Sequence, residues 1–132
     1  MPLQVELHPL LAQRKMVGVL FRKGVQCIAG QPLALASPDL MISDAVSSVA
    51  DELDKNPSEV ILKWNTQRGV PVVCPMGAKL PVDLASFFSW KLSNDQKAKL
   101  DGLDKHTRFL TPSWHNFEDP EQGGATKPST VL

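Results

Sequence analysis

The 132-residue sequence contains no tyrosine. No phenolic hydroxyl is therefore on hand as an acid, base or nucleophile. Cysteine is scarce too. Cys27 and Cys74 are the only two, too few for a disulfide framework, and the expectation is a pair of buried, reduced thiols with no cation beside them to activate either. Net charge of one sign is also missing. Lys plus Arg and Asp plus Glu balance at 14 each, which removes the broad electrostatic footprint of a nucleic-acid or anionic-membrane binder. No apolar run approaches a membrane span, and residues 1–11 lack the basic-then-apolar layout of an export signal, so a cytoplasmic chain is expected. What remains is ordinary. Hydrophobic residues at 42% and charged ones at 21% suit one globular domain.

The pattern along the chain alternates strands with helices. Residues 3–7 place Leu3, Val5 and Leu7 against Gln4 and Glu6, a strand period. A helix is predicted over 10–22, stopped at Gly24. Residues 25–29 form a second strand candidate, and 31–39 read as a loop. A helical stripe follows at Ile42, Val46, Val49 and Leu53, with Asp51 and Lys55 at i,i+4 on its wet side. Asn56-Pro57-Ser58-Glu59 is a capping box with proline at the first helical position, opening a helix that ends at Gly69. Residues 70–74 are the third strand candidate, with Pro71 suited to its beginning or an edge. A short helix is predicted over 80–88, and a second capping box, Ser93-Asn94-Asp95-Gln96, opens the last one. From residue 107 onward the pattern turns irregular. This alternation predicts an α/β fold with a parallel sheet.

Several residues could carry chemistry. Glu6 and His8 share a strand face and could form an acid–base or metal pair, or His8 could cap the turn before Pro9 while Glu6 bonds backbone nearby. No second His or Cys stands at ligand spacing, so no metal site is expected. His106 and His115 read as surface residues, and Trp64 as core. Gly77-Ala78-Lys79, just after the third strand candidate, could offer backbone N–H groups and a cation to a phosphate. The terminal Thr130-Val131-Leu132 fits a carboxylate-capture motif.

Gln4-Val5-Glu6-Leu7-His8-Pro9 resembles the Q-x-E-x-H-P segment of the aldo-keto reductases. In register with it, residues 24–29 resemble the strand leading to that family's A-Y-S-P-L-G. Residues 57–69, with Trp64-Asn65-Thr66-Gln67-Arg68-Gly69, resemble its P-A-Q-V-x-L-x-W-x-x-Q-R-G, and residues 70–79 its phosphate-binding segment. The resemblance implies a partial (β/α)8 TIM barrel: about three C-terminal βα units with a C-terminal helix, the domain over 1–106 and an irregular tail over 107–132. It also implies the cofactor NADP(H) and reduction of aldehydes or ketones. By that resemblance Gln4 contacts the nicotinamide carboxamide, and Gly30 replaces the tyrosine that stacks on the ring. Gln31 replaces the following serine, Leu33 keeps the pattern, and Gly77, Ala78 and Lys79 resemble a G-A-R/K phosphate variant. The adenine-binding asparagine is lost between residues 84 and 86, and Trp114 resembles the tail that lids the substrate pocket.

The family's catalytic tyrosine, lysine, aspartate and histidine lie in earlier strands. The chain alone is therefore expected to be inactive, either a truncated reductase or a non-catalytic half-barrel that binds another protein. Losing the opposite strands would expose on the order of five inward side chains, roughly 7–15 kcal/mol of unburied apolar surface, about the stability of a whole domain. Self-association or a complementary half-barrel is the expected remedy.

Overall fold

Alternation becomes strand at the predicted place. A computed structural model describes residues 1–74 and 82–110. In it β1 (Leu3–Glu6) pairs in parallel with β2 (Cys27–Gly30), Leu3 opposite Cys27 and Glu6 opposite Gly30. Val5, Leu7, Cys27, Ala29, Val70 and Val72 pack on Val17 and Leu20 of helix α1 (Arg14–Arg22). Gln4, Glu6, Ile28 and Gly30 point to the other face.

The third strand is shorter than expected. It consists of a single parallel bridge between Ala29 and Val72, with Ala29 N donating to Pro71 O at 2.8 Å and Val73 N to Ala29 O at 3.0 Å. Pro71 has no N–H to give the ladder, so pairing cannot extend toward the strand's start. Residues 75–81, into which it would continue, lie outside the described part.

Helix α1 starts four residues later than the periodicity suggests. Leu10, Leu11 and Ala12 are all buried, and three consecutive buried residues cannot share one stripe of a surface helix. They instead form a tight loop closed by Leu11 N on His8 O. Gln13 enters the helix in the left-handed region (φ 45°), its side chain donating to Glu6 O at 2.7 Å.

The predicted loop over 31–39 contains a one-turn 3₁₀ segment, Ala34–Ala36, followed by the short α2 (Pro38–Met41). Helix α3 (Asp44–Leu53) is capped by Ser43. Ile42 therefore stands outside the stripe, 74% exposed. Asp54 is left-handed (φ 52°) and ends α3, so Lys55 leaves the helix and the i,i+4 spacing with Asp51 lapses. Lys55 Nζ lies 5.6 Å above the Trp90 ring instead.

Helix α4 (Pro57–Gln67) keeps the capping box, Asn56 N donating to Glu59 Oε2 at 3.1 Å. So does α5 (Asn94–Asp101), where Ser93 and Gln96 bond reciprocally. Trp64 is core as expected, packed with Leu40, Val49, Ile61 and Leu100, its indole N–H on Asp101 Oδ1 at 2.9 Å.

The helix expected over 80–88 is replaced, within the described residues, by irregular chain and one 3₁₀ turn, Phe87–Ser89. A polar stripe on α4 holds this segment. Glu59 Oε1 accepts from Asp83 N at 3.4 Å, Lys63 Nζ donates to Phe87 O, and Gln67 bonds both the N–H and the C=O of Leu92 at 2.8 Å. Spaced four apart, these side chains lie in one row along the helix. They satisfy main-chain groups that a short helix over 80–88 would have left unpaired at its ends or, at Leu92, beyond it.

Candidate cofactor-facing site

Of the sequence-derived site residues, Gln4 of β1 and Gly30 at the C-terminal end of β2 share one sheet face. Gln4 is exposed, Gly30 is buried and Gln31 and Leu33 are half-buried. Gln4 and Gly30 touch. A Cβ added at Gly30 would lie 3.0 Å from Gln4 Nε2 and 3.3 Å from its Cγ, so the glutamine occupies the space a side chain at position 30 would need. Leu33 packs on the core cluster instead of projecting into the site. Gln31 is left-handed (φ 48°), as are Ala34, Leu35 and Ala36 (φ 51–56°), an uncommon run for residues bearing a Cβ. Gly77, Ala78 and Lys79 lie outside the described residues, as do Trp114, His115 and Thr130-Val131-Leu132.

Glu6 and His8 do meet, His8 Nε2 lying 2.9 Å from Glu6 Oε1. The pair cannot work on a substrate: His8 is 0% exposed and Glu6 only 7%. Glu6 also accepts from Phe109 N at 2.7 Å and Leu110 N at 2.8 Å. Its backbone partners are thus not nearby ones, as expected, but lie more than a hundred positions away. The start of the region expected to be an irregular tail is fixed to β1. Sequence offered no signal for this contact, because the donors are main-chain N–H groups that any residue supplies.

Among the described residues, no group of three or more His, Cys, Asp or Glu could hold a metal ion. Cys27 is buried, and burial pushes its thiol pKa up, with the Arg68 guanidinium pulling weakly the other way. Arg68 is the cation that sequence reasoning missed. It lies 4.2 Å above Trp64 and donates to Ala12 O at 2.8 Å. Cys74 is half-buried and likewise shifted up by burial. Lys63 sits 4.0 Å from the Phe87 ring centre and 4.6 Å from that of Trp90. Desolvation lowers its pKa, with Glu59 opposing. A cavity of about 900 Å³, lined by Leu62, Thr66, Val72, Cys74, Leu84 and Phe88 among others, lies on the helix-covered face of the third strand. Gln4 is on the opposite face.

The face presented by Gln4, Ile28, Gly30 and Val73 is only partly covered by the described residues. Gln4 is exposed, Ile28 half-buried and Val73 44% exposed. Ile28 and Val73 are its apolar members among the described residues. The cost of leaving it bare is thus nearer two apolar side chains than five, roughly 3–6 kcal/mol as an upper estimate.

No family model matches the chain. Individual relatives do. An aldo-keto reductase of Mycolicibacterium vanbaalenii is 38% identical over 110 residues, covering 80% of this chain and 38% of that protein. The NAD(P)H-dependent D-xylose reductase of Candida tenuis is 32% identical over 131 residues, covering 87% and 40%. The solved aldose reductase of Schistosoma japonicum superposes with a TM-score of 0.73 at 26% identity, covering 83% of this chain and 36% of that one. The chain thus spans about two fifths of the length of the relatives it matches, and its unclosed sheet is part of their TIM barrel. By motif order, similarity and fold together, it belongs to the aldo-keto reductases.

Proposed function

We propose that this chain is the C-terminal, cofactor-facing part of an NADP(H)-dependent carbonyl reductase barrel, and that alone it turns over no substrate. The carrying observation is the placement of Gln4 of β1 beside Gly30 at the end of β2 in a sequence without tyrosine. Hydride delivery to a carbonyl leaves an oxyanion that needs a positioned proton donor. The described residues near Gln4 offer none: His8 and Glu6 are buried and bonded to each other.

Toward NADP(H) the residues present fit only in part. The exposed Gln4 carboxamide can donate to and accept from an amide. Gly30 provides no ring on which a nicotinamide could stack, and Gln4 lies over it. These residues do not by themselves cradle a dinucleotide, and no reaction step is assigned through it. The partner implied is a complementary set of barrel strands, whether joined to this chain or separate, covering the Gln4–Val73 face. A second copy of the chain is the alternative cover. With two free thiols, a reducing cytoplasm is the compartment we assign.

A second reading, a non-catalytic module that binds another protein through the open face, is favoured by Gly30 and Gln31 standing where the family has tyrosine and serine. Titrating NADPH against the pure chain while following cofactor fluorescence separates the two. The incomplete-reductase reading expects weak saturable binding and no aldehyde-dependent NADPH loss. Absence of any binding favours the module, and aldehyde-dependent NADPH consumption refutes both.

A further inference from the structure

Glu6 gathers an unusual set of donors. Its two carboxylate oxygens receive His8 Nε2, Phe109 N and Leu110 N, all within 2.9 Å, and it is almost fully buried. The segment that reaches it is tied to the loop after β1 at Asp104, Lys105 and Thr107. Asp104 Oδ1 accepts from Ala12 N at 3.4 Å and from His106 N at 3.1 Å, while Lys105 N and Thr107 N both donate to Leu10 O. The strap over 104–110 thus runs along residues 12 back to 6. It is held by one main-chain acceptor, Leu10 O, in the middle and by one side chain at its far end. Phe109 also meets the His8 ring edge-to-face at 5.5 Å.

We propose that Glu6 is a positioning residue: a carboxylate clamp that seats the 107–110 strap across the C-terminal end of β1, making it a wall of the candidate site. Glu6 lies two residues beyond Gln4 on the same strand face, about 7 Å along the strand. Clamping therefore brings Phe109 and Leu110 to the edge of the Gln4–Gly30 patch, and unclamping frees that edge. The chemistry is specific. An ionised carboxylate accepts at both oxygens, whereas an amide accepts at one and turns an NH₂ toward the other N–H. His8 supplies a further N–H to the same carboxylate and braces it. This proposal rests on the hydrogen-bond geometry and not on the reductase reading, so each can fail without the other.

The test is amide hydrogen exchange on the full 132-residue chain. Glu6→Gln should raise exchange at Phe109 and Leu110 by roughly 10- to 100-fold, the loss expected for hydrogen bonds to a charged group. Thr107, held by Leu10 O, and Ile61 in α4 should be unchanged. In the parent chain the Phe109 and Leu110 amides should exchange at least about tenfold more slowly than unstructured ones, and this decides the matter if Glu6→Gln does not fold. Unprotected Phe109 and Leu110 amides in the parent, unchanged exchange at both in Glu6→Gln, or a rise at Ile61 equal to that at Phe109 would overturn the clamp.

Discussion

The polar stripe of α4 can be tested through Gln67. Its side-chain amide donates to Leu92 O and accepts from Leu92 N, both at 2.8 Å, and Leu92 is 2% exposed. Gln67→Ala leaves two main-chain groups without partners at a site shielded from water. Each unmet group costs about 1–3 kcal/mol, and allowing for local relaxation the pair should cost about 2–4 kcal/mol. For a chain of this size the urea dependence is about 1–1.5 kcal/mol per M, so the unfolding midpoint should fall by roughly 2 M, followed by far-ultraviolet circular dichroism. Gln67→Met separates bonding from packing, since it keeps the stem and volume without the amide. It should be nearly as destabilised as the alanine variant. Restoration of stability by methionine would show that packing holds the segment over 82–92, and the hydrogen-bonded stripe would then be the wrong explanation.

Three further outcomes follow from the same structure. Glu52 is held down to about 2 by the Gln96 side chain first and Lys99 second. A depressed carboxylate contributes stability that is complete above its ordinary value of 4.5 and is lost as pH falls toward about 2. Glu52→Gln should therefore flatten the acid limb of urea midpoint against pH across that window. Because the side chain is exposed, high salt should flatten it in the parent as well, and identical acid limbs in parent and variant would dismiss the network. Ala36 is exposed and left-handed (φ 56°), so Ala36→Gly should stabilise the chain by about 0.5–1 kcal/mol, read as a higher thermal midpoint. A lower midpoint would mean the turn is not strained. Native-state titration with a thiol reagent should modify half-buried Cys74 first and reach Cys27 only on unfolding. Equal rates at the two would contradict the burial of Cys27.

What could be read from sequence was local. The capping boxes at Asn56 and Ser93, the strand period of residues 3–7 and the buried Trp64 each rest on neighbours a few positions apart, and the fold honours them. The failures share a different cause. The late start of α1 comes from Leu10 and Leu11 being buried in a loop, a demand of tertiary packing on a stretch whose pattern alone suits a helix. The segment after the third strand is irregular where it is described, its main chain bonded by Glu59, Lys63 and Gln67 of an element twenty or more residues earlier. At the candidate site, Gln4 and Gly30 were legible through motif resemblance. The side chain of Gln4 filling the space above Gly30, and Glu6 reaching Phe109 and Leu110, were not. Such contacts join strand ends to distant main chain, and no spacing rule encodes them.

The central proposal is that this chain supplies about two fifths of a reductase barrel and alone turns over no substrate. It is tested most directly by measuring aldehyde-dependent NADPH oxidation for the chain alone and for the chain joined behind the five preceding βα units of the Mycolicibacterium vanbaalenii relative. The expected result is turnover by the joined protein only. Stoichiometric NADPH and aldehyde loss with the chain alone would contradict the claim.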